Sequence, residues 1–160
     1  MVGIVRHRSG EAFAVDINAP LEGALGALEF DGATKRNRPN LAAGDLVYAR
    51  VAEYSRHLGA KLSCTNAGWS SGKALGELKG GMVVYGLRGR EGQLEERLEE
   101  IGRYCKVEVA LGRNDILWFS CAHPRQEMVL YNMFTLLFKG GSQEVYQAML
   151  QSLASEQSTD

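Results

Sequence analysis

The feature that most constrains the fold of this chain is a change of rhythm near its middle. Over residues 2–65, apolar runs of a few residues are separated by turn-forming residues, and no stretch keeps a helical period. Beyond residue 81, stretches with helical spacing alternate with short apolar runs. A chain of 160 residues is long enough for two small domains. We therefore expect an all-β domain followed by a mixed α+β domain.

The first half contains five apolar runs with the length and spacing of β-strands. We expect the first strand over residues 2–5 and a polar turn over residues 6–10. Phe13, Val15 and Ile17 alternate with small or polar residues, so that one face of the second strand points inward. The remaining strands are expected over residues 25–30, 46–54 and 61–65. Five short strands predict a small all-β barrel of the OB (oligonucleotide-binding) type over residues 1–67.

A stretch rich in Gly and Ser separates the two halves. It contains Ala67-Gly68-Trp69-Ser70-Ser71-Gly72 and ends at Gly80-Gly81. Such a composition is typical of a domain boundary. We therefore interpret residues 68–81 as a linker.

The second half alternates between strands and helices. Strands are expected over residues 82–85, 106–111 and 116–121, and the last two form a hairpin. A short helical or loop segment over residues 86–92 precedes a helix over residues 93–103, and two further helices are expected over residues 124–138 and 142–154. This order predicts an α+β K-homology domain of the eukaryotic type I order over residues 82–160, with one appended C-terminal helix.

The charge balance limits how the chain can bind nucleic acid. Its formal net charge is -1, whereas binding through bulk electrostatics requires many Lys and Arg side chains against phosphates. Any contact with RNA must therefore be local. The cations are clustered over residues 35–38 and 88–90, while acids concentrate over residues 95–100.

The cysteines and the apolar runs favour an intracellular protein. Cys64, Cys105 and Cys121 are widely spaced, which suits reduced, buried thiols better than a disulfide framework or a zinc site. The apolar runs are far shorter than the ~20 residues of a membrane-spanning helix. The N-terminus lacks the layout of a signal peptide.

One loop makes the fold prediction specific. Phe30-Asp31-Gly32-Ala33-Thr34-Lys35-Arg36-Asn37-Arg38-Pro39-Asn40 resembles the hallmark loop of a family of eukaryotic RNA exosome cap subunits, exosome component three or ribosomal RNA-processing protein forty. Gly44-Asp45-Leu46-Val47-Tyr48 is similar to a barrel strand of that family. Gly112-Arg113-Asn114 resembles the Gly-x-Asn-Gly turn of its K-homology domain. The resemblance covers nearly the whole chain.

The chain departs from the family pattern in three respects. The family usually carries Glu where this chain has Asp31. Asp115 replaces the final Gly of the turn, a change that a β-hairpin can accept but that affects the shape of the turn. Family members also carry a further N-terminal β domain, so we expect this sequence to be truncated or its gene model to be incomplete.

The resemblance implies a non-catalytic cap subunit that needs no cofactor. Family members sit on a ring of six subunits that resemble phosphorolytic ribonucleases, stabilise that ring and line the pore through which RNA reaches the nuclease. The implied partners are RNA, ring subunits and other cap subunits, with no membrane. The implied processes are RNA degradation and ribosomal RNA processing, in the nucleus, the nucleolus and the cytoplasm. The alternative is a free-standing RNA-binding regulatory protein.

Two groups of residues in the barrel are candidates for contacts with RNA or the ring. A loop with three cations in four residues suits phosphates or an acidic partner, and its alternative interpretation is a solvated surface loop. Barrel strands of the OB type commonly present aromatic and cationic side chains for stacking on bases. The candidates are Lys35, Arg36, Asn37 and Arg38 in the loop, with Arg6, His7, Arg8, Tyr48 and Arg50 on the strands.

The second half offers a possible clamp. Gly89-Arg90-Glu91-Gly92 has the Gly-x-x-Gly spacing by which K-homology domains hold a nucleic-acid backbone, and it precedes a predicted helix. The clamp residues are Gly89, Arg90 and Gly92. Short glycine spacings also arise by chance and Glu91 is a poor neighbour for an anion, so an ordinary turn is the alternative.

The sequence predicts no catalytic residues and no metal site. The acids over residues 95–100 share a helix with Arg97 and Arg103, as on a solvated charged face. Cys121 and His123 lie two residues apart, but nothing near them completes a pair of nucleophile and base. An exoribonuclease would need acids clustered around a divalent metal. We therefore expect a protein that is not an enzyme.

Overall fold

The computed structural model describes residues 1–69 and 73–157. Residues 70–72 of the predicted linker and residues 158–160 of the predicted second domain lie outside the described residues. The chain divides into two compact units. Unit 1 comprises Met1–Lys79 and Ala110–Asn114, and unit 2 comprises Gly80–Val109 and Asp115–Asp160. None of the helices in the described part of the chain is long and apolar enough to cross a membrane.

Unit 1 is built on a seven-stranded sheet with the strand order β5-β6-β3-β2-β1-β4-β7. All but one of the neighbouring strand pairs are antiparallel, and the parallel pair is β3 with β6. The strands are β1 Val2–Ser9, β2 Ala12–Asp16, β3 Gly23–Phe30, β4 Leu46–Tyr48, β5 Arg50–Ser55, β6 Gly59–Cys64 and β7 Gly76–Leu78.

The sheet closes on itself at Ala49. Strands β4 and β5 are separated by this residue alone, yet β4 pairs with β1 and β5 pairs with β6. One bent segment therefore joins both sides of the β6-β3-β2-β1 sheet. Ala49 is 1% exposed and its N–H donates to the Met1 carbonyl at 2.9 Å. The predicted single strand over residues 46–54 is thus two strands, and the closed sheet fits the predicted barrel.

The barrel core follows the alternation seen in the sequence. Phe13, Val15 and Ile17 are buried, as predicted. Leu25 and Leu62, from the parallel pair β3 and β6, are buried with them. Each such side chain contributes about 1.5–3 kcal/mol to the free energy of unfolding, so the inward face of these strands stabilises the unit.

Two predictions about unit 1 are wrong. The predicted polar turn over residues 6–10 is strand, because β1 continues to Ser9 and pairs with β2 up to Ala12. The turn comes at Gly10, whose φ of 62° favours glycine. The predicted linker over residues 68–81 contains strand β7, which pairs with β4. Neither the polar end of a strand nor a strand of three residues has a distinctive local sequence pattern. Pairing with other strands determines both the length of β1 and the presence of β7.

Unit 2 combines a three-stranded sheet, order β8-β10-β9, with helices. Helix α2 packs on β8 and β10 and contacts α3. The rings of Phe119 and Phe134 meet at 5.0 Å in an edge-to-face arrangement, a geometry that stabilises aromatic pairs. The elements are β8 Met82–Tyr85, α1 Glu91–Ile101, β9 Val107–Leu111, β10 Ile116–Cys121, α2 Pro124–Phe138 and α3 Gln143–Gln157.

The predicted order of elements in unit 2 needs one correction. Strand β8 and helix α2 have the predicted bounds, and α3 runs three residues beyond its predicted end. Of the two alternatives predicted for residues 86–92, helix or loop, residues 86–90 adopt the loop, because Gly86 and Gly89 have φ values of 106° and 78°, far from helical geometry. The type I order therefore lacks its first helix, and the K-homology assignment stays a prediction.

Asp115 adopts the backbone conformation that the replaced Gly of the family turn would favour. Its φ is 73°, in the left-handed region. Its Oδ1 accepts a hydrogen bond from the Arg88 N–H at 2.7 Å, and its carbonyl accepts one from the Gly86 N–H at 3.0 Å. Asp is one of the few residues that tolerate this region, so the turn keeps its conformation without Gly.

Asn114 satisfies backbone groups at one end of the barrel. Its Nδ2 donates to the carbonyls of Val2 at 2.7 Å and Ile17 at 2.9 Å, and its Oδ1 accepts from the Val2 N–H at 3.3 Å. Its own carbonyl accepts from Asn18 Nδ2 at 3.0 Å. All of these residues belong to unit 1, so this side chain holds the ends of β1 and β2 in place.

We expect Asn114→Ala to lower the free energy of unfolding by about 2–4 kcal/mol, because it leaves backbone groups of Val2 and Ile17 without partners. Urea unfolding followed by circular dichroism measures the change. Asn40→Ala, the same substitution at an exposed residue of unit 1, should change stability by less than about 0.5 kcal/mol. Equal effects of the two substitutions would contradict this role for Asn114.

We expect Asp115→Ala to destabilise the protein by about 1–2 kcal/mol, because alanine is strained at a φ of 73° and cannot accept the Arg88 N–H. Asp115→Gly loses the same hydrogen bond but is free of strain, so its cost should be smaller by about 1 kcal/mol. Thermal unfolding of both variants tests this order. A glycine variant as unstable as the alanine variant would show that backbone strain is unimportant there.

Candidate nucleic-acid interface

The loop after strand β3 is anchored at its base by a network of side chains. Asp31 accepts hydrogen bonds from the backbone N–H of Asn66 and from Asn66 Nδ2, the latter at 2.7 Å. Asn66 Oδ1 accepts from the Leu75 N–H at 2.8 Å, and Nδ2 donates to the Leu75 carbonyl at 3.3 Å. The Asp at position 31 thus makes the contact that fixes where the loop begins.

The basic loop, Lys35–Arg38, presents two free cations. Thr34 and Asn37 exchange backbone hydrogen bonds at 3.1 and 3.2 Å, and Thr34 Oγ1 also accepts from the Asn37 N–H. Lys35 and Arg36 are exposed. Neither side chain has a hydrogen bond or ion pair within the described residues. A compact turn therefore holds two cations toward solvent.

Arg38 has a different role from its neighbours. Its Nε donates to the Lys35 carbonyl at 3.1 Å, and its Nη2 lies 3.7 Å from Glu11 Oε1. Its side chain is only 27% exposed. Arg38 therefore supports the loop and holds it beside the turn between β1 and β2.

The predicted cations of strand β1 are exposed but already have partners. Arg6 pairs with Asp16, and that hydrogen bond holds the pKa of the Asp16 carboxyl below its usual value. His7 lies 4.0 Å from Glu22. Arg8 donates from Nε to the Gly10 carbonyl at 3.2 Å, which brings it to the same turn that Arg38 contacts. Arg8 and Arg38 thus both contact the turn between β1 and β2.

Tyr48 does not lie on an exposed stacking face, and its prediction as a surface residue is wrong. It is 5% exposed and its hydroxyl donates to the Leu111 carbonyl at 3.0 Å. Burial raises the pKa of this hydroxyl. This side chain contacts the Trp69 ring and the Leu111 carbonyl.

A cavity of about 420 Å³ opens next to Tyr48 in unit 1. The Trp69 ring meets the Tyr48 ring edge to face, with centroids 6.0 Å apart. Trp69 Nε1 donates to the Lys73 carbonyl at 3.1 Å, which fixes the indole. We call this space the arginine cavity; it is lined by Tyr48, Arg50, Val51, Trp69, Leu111 and Arg113, with Met1 beside them.

Two guanidinium groups border the arginine cavity. Arg50 is held by Thr65, whose carbonyl accepts from Nε at 3.3 Å and whose hydroxyl accepts from Nη2 at 3.0 Å. Arg113, from the family turn, is exposed. Within the described part of the chain its side chain makes no hydrogen bond or ion pair. The fold therefore brings the predicted residues Tyr48, Arg50 and Arg113 together at one cavity. None of the three belongs to the basic loop.

The predicted clamp of unit 2 is partly helical. Gly89 has a φ of 78° and lies in the turn before α1, whereas Gly92 lies within the first turn of the helix. Arg90 Nη1 donates to the Leu137 carbonyl near the end of α2 at 3.1 Å. The Arg90 side chain thus stabilises the unit, and the clamp at Gly89, Arg90 and Gly92 stays a prediction.

Sequence reasoning did not connect several residues that shape the interface. Trp69 lies in the predicted linker. No sequence pattern marks Asn66, Val51 or Leu111 as part of a site. A tryptophan inside a stretch of Gly and Ser is unusual, because an indole that leaves water needs a packing partner. The sequence therefore predicts that Trp69 packs against folded structure, and its contact with Tyr48 in unit 1 agrees with that packing.

The cysteines are free, as predicted. Cys64 and Cys105 are buried, and burial raises the pKa of each thiol to about 12. Cys121 is partly exposed and donates to Gln126 Oε1 at 3.2 Å. Thiols with raised pKa values are poor nucleophiles at neutral pH. Cys64 therefore serves as a buried packing residue in unit 1, and Cys105 does so in unit 2.

The first unit matches a protein-family model. Residues 1–76 match the model described as exosome complex component RRP40, S1 domain. That range coincides closely with the main segment of unit 1, Met1–Lys79. It includes the basic loop and Trp69.

Relatives in animals and fungi match most of the chain. Exosome complex component RRP40 of Drosophila melanogaster is 34% identical over 149 residues, which are 91% of this chain and 64% of the relative. The Schizosaccharomyces pombe protein of the same name is 35% identical over 74% of this chain and 51% of its own length. The human one is 29% identical over 83% of this chain. The chain thus spans about half to two thirds of the length of these curated relatives.

A solved structure shares the fold. A crystal structure assigned as an exosome complex RNA-binding protein covers 99% of this chain and 93% of its own, with a TM-score of 0.70 and 19% identity. The resemblance found in the sequence is confirmed by the family model and by the curated relatives. Over most of its length the chain is therefore similar to exosome complex component RRP40, and residues 1–76 match the S1 domain of that family.

Proposed function

We propose that this chain is a non-catalytic, RNA-binding cap subunit of the RNA exosome. In this role it binds RNA, guides it into a ring of subunits that resemble phosphorolytic ribonucleases, and stabilises that ring together with other cap subunits. The proposal includes 3′–5′ RNA degradation and ribosomal RNA processing, in the nucleus, nucleolus and cytoplasm. The observation that carries it is the basic loop, where Lys35 and Arg36 are exposed and have no partner among the described residues, in a segment that matches the RRP40 S1 domain.

The basic loop suits phosphate contacts because its base is fixed before a ligand arrives. Asp31, Asn66 and Leu75 hold one end, and Arg38 holds the other through the Lys35 carbonyl. Preorganised cations lose less conformational entropy on binding than mobile ones. Two cations against phosphates give a weak contact on their own, as expected for a subunit that works within an assembly.

A free-standing RNA-binding regulatory protein is the second candidate. It is favoured by the presence of a second positive site, the arginine cavity, in the same unit. The two candidates differ in what accompanies the protein in cells. A cap subunit requires its ring, whereas a regulator binds RNA specifically as a monomer.

Affinity purification of the tagged full-length protein from its source cells, followed by mass spectrometry, separates these candidates. Recovery of ring subunits that resemble phosphorolytic ribonucleases supports the cap role. Recovery of the protein alone, or with unrelated ribonucleoproteins, contradicts it and favours the regulator.

We expect the double substitution Lys35→Glu with Arg36→Glu to weaken RNA binding or ring association at least about fivefold, because two cations become anions at the proposed contact. Its unfolding midpoint should stay within a few degrees of wild type, since neither side chain has a partner to lose. Arg38 is left intact because it supports the loop. Fluorescence anisotropy with a short oligoribonucleotide and the purification above measure the two contacts.

The matched control is Arg56→Glu with Lys79→Glu. Both residues are exposed in unit 1, and the change in net charge is the same. The control should retain both RNA binding and ring association. An equal loss in the control would mean that net charge alone is responsible, and a large loss of thermal stability in the loop variant would contradict a surface role.

A further inference from the structure

The arginine cavity has the charge of an anion-binding site. Among the described residues, its lining includes two arginines, Arg50 and Arg113, and no Asp or Glu. The chain as a whole carries a net charge of -1, so this local excess of positive charge is not a general property of the surface. Two arginines beside one another repel unless an anion or solvent screens them. The site therefore favours a negatively charged ligand.

The arrangement of Arg50 leaves a donor available. Its Nε and Nη2 are engaged by Thr65, and Nη1 has no hydrogen-bond partner in the described part of the chain. A guanidinium fixed on two sides loses little entropy when its remaining N–H groups bind an acceptor. Arg113 is free to approach from the turn that precedes Asn114. Both arginines line the same cavity, so each can offer N–H donors to an anion bound there.

The remaining lining is apolar and aromatic. Val51 is 40% exposed, and the indole of Trp69 is fixed by Tyr48 and by the Lys73 carbonyl. A volume of about 420 Å³ lies within the range of small-molecule sites, about 300–1,000 Å³. Flat aromatic and apolar walls beside cations are what a nucleobase and its phosphate require.

We propose that the arginine cavity binds one nucleotide of single-stranded RNA, with the base against Trp69 and Val51 and the phosphate against Arg50 and Arg113. This inference rests on the proposed RNA-binding function and adds a second contact, separate in the sequence from the basic loop. The base contact is tolerant of sequence, because every base has a face that can stack. The contact thus suits a protein that must pass many RNAs.

Two substitutions test the cavity with matched controls. Arg113→Gln should weaken binding of a short oligouridylate by about 3- to 10-fold and reduce the slope of log affinity against log salt by about 0.7, the value for one phosphate of a single strand. Arg56→Gln, at another exposed arginine of unit 1, should leave both unchanged. Neither arginine has a side-chain partner in the described residues, so folding is not at risk.

Val51→Glu introduces an anion into the cavity and should weaken the same binding at least about tenfold. Val145→Glu is its control, because Val145 is 44% exposed and belongs to unit 2. Photocrosslinking of the wild-type chain to an oligouridylate that carries 5-iodouridine adds a direct readout. Mass spectrometry should then locate a crosslink at Trp69.

The outcomes separate this inference from the proposed function. Weaker binding in both cavity variants, with unchanged controls and a crosslink at Trp69, supports the inference. RNA binding that is unchanged in both variants, while Lys35→Glu with Arg36→Glu weakens it, overturns the cavity and leaves the proposed function intact. Cavity variants that keep RNA affinity but lose ring subunits would mean that the cavity receives a protein, which also overturns it. A wild-type chain that binds no RNA overturns both.

Discussion

The closure of the sheet at Ala49 is the constraint on which the rest of unit 1 depends. Because one segment must pair with β1 through β4 and with β6 through β5, the chain bends between Tyr48 and Arg50. The bend leaves Tyr48 inside and Arg50 and Val51 at the cavity. Ala49 itself is buried and small, and a larger side chain would have to displace its neighbours. The bend that closes the barrel therefore places Tyr48 and Val51 in the wall of the arginine cavity and brings the charge of Arg50 to it.

Two asparagine side chains form hydrogen bonds with backbone groups at the ends of this barrel. Asn66 bonds to Asp31 and to both backbone groups of Leu75, and Asn114 bonds to Val2 and Ile17. Backbone groups shut away from water must find partners, or each costs about 1–3 kcal/mol. An amide side chain has both a donor and an acceptor, so one residue can stand in for a short piece of strand. The basic loop and the arginine cavity both adjoin such a fixed point.

The sequence predicted the parts of the fold that local patterns determine. The alternation of Phe13, Val15 and Ile17, strand β8 and helix α2 are confirmed, since period and terminal Pro or Gly signals define them. The bend at Ala49, strand β7 and the burial of Tyr48 were not predicted, because each depends on a partner distant in the sequence. The candidate site divides in the same way. The sequence identified the cations of the basic loop. It did not predict that Arg50 and Arg113 lie with Trp69 at a separate cavity.

The proposed RNA binding requires local groups of cations, because the chain as a whole is slightly acidic. Two of the arginines in the described residues of strand β1 and the basic loop face an acid: Arg6 faces Asp16 and Arg38 faces Glu11. The charge of these two arginines is balanced within the fold, so fewer cations remain to bind phosphates. In the proposed role, affinity for RNA then has to come from a few preorganised contacts, such as the fixed basic loop and the stacking wall of Trp69, and not from a large number of phosphate contacts. The proposed role fits this arrangement, because weak contacts at each nucleotide let an RNA strand move on toward a nuclease.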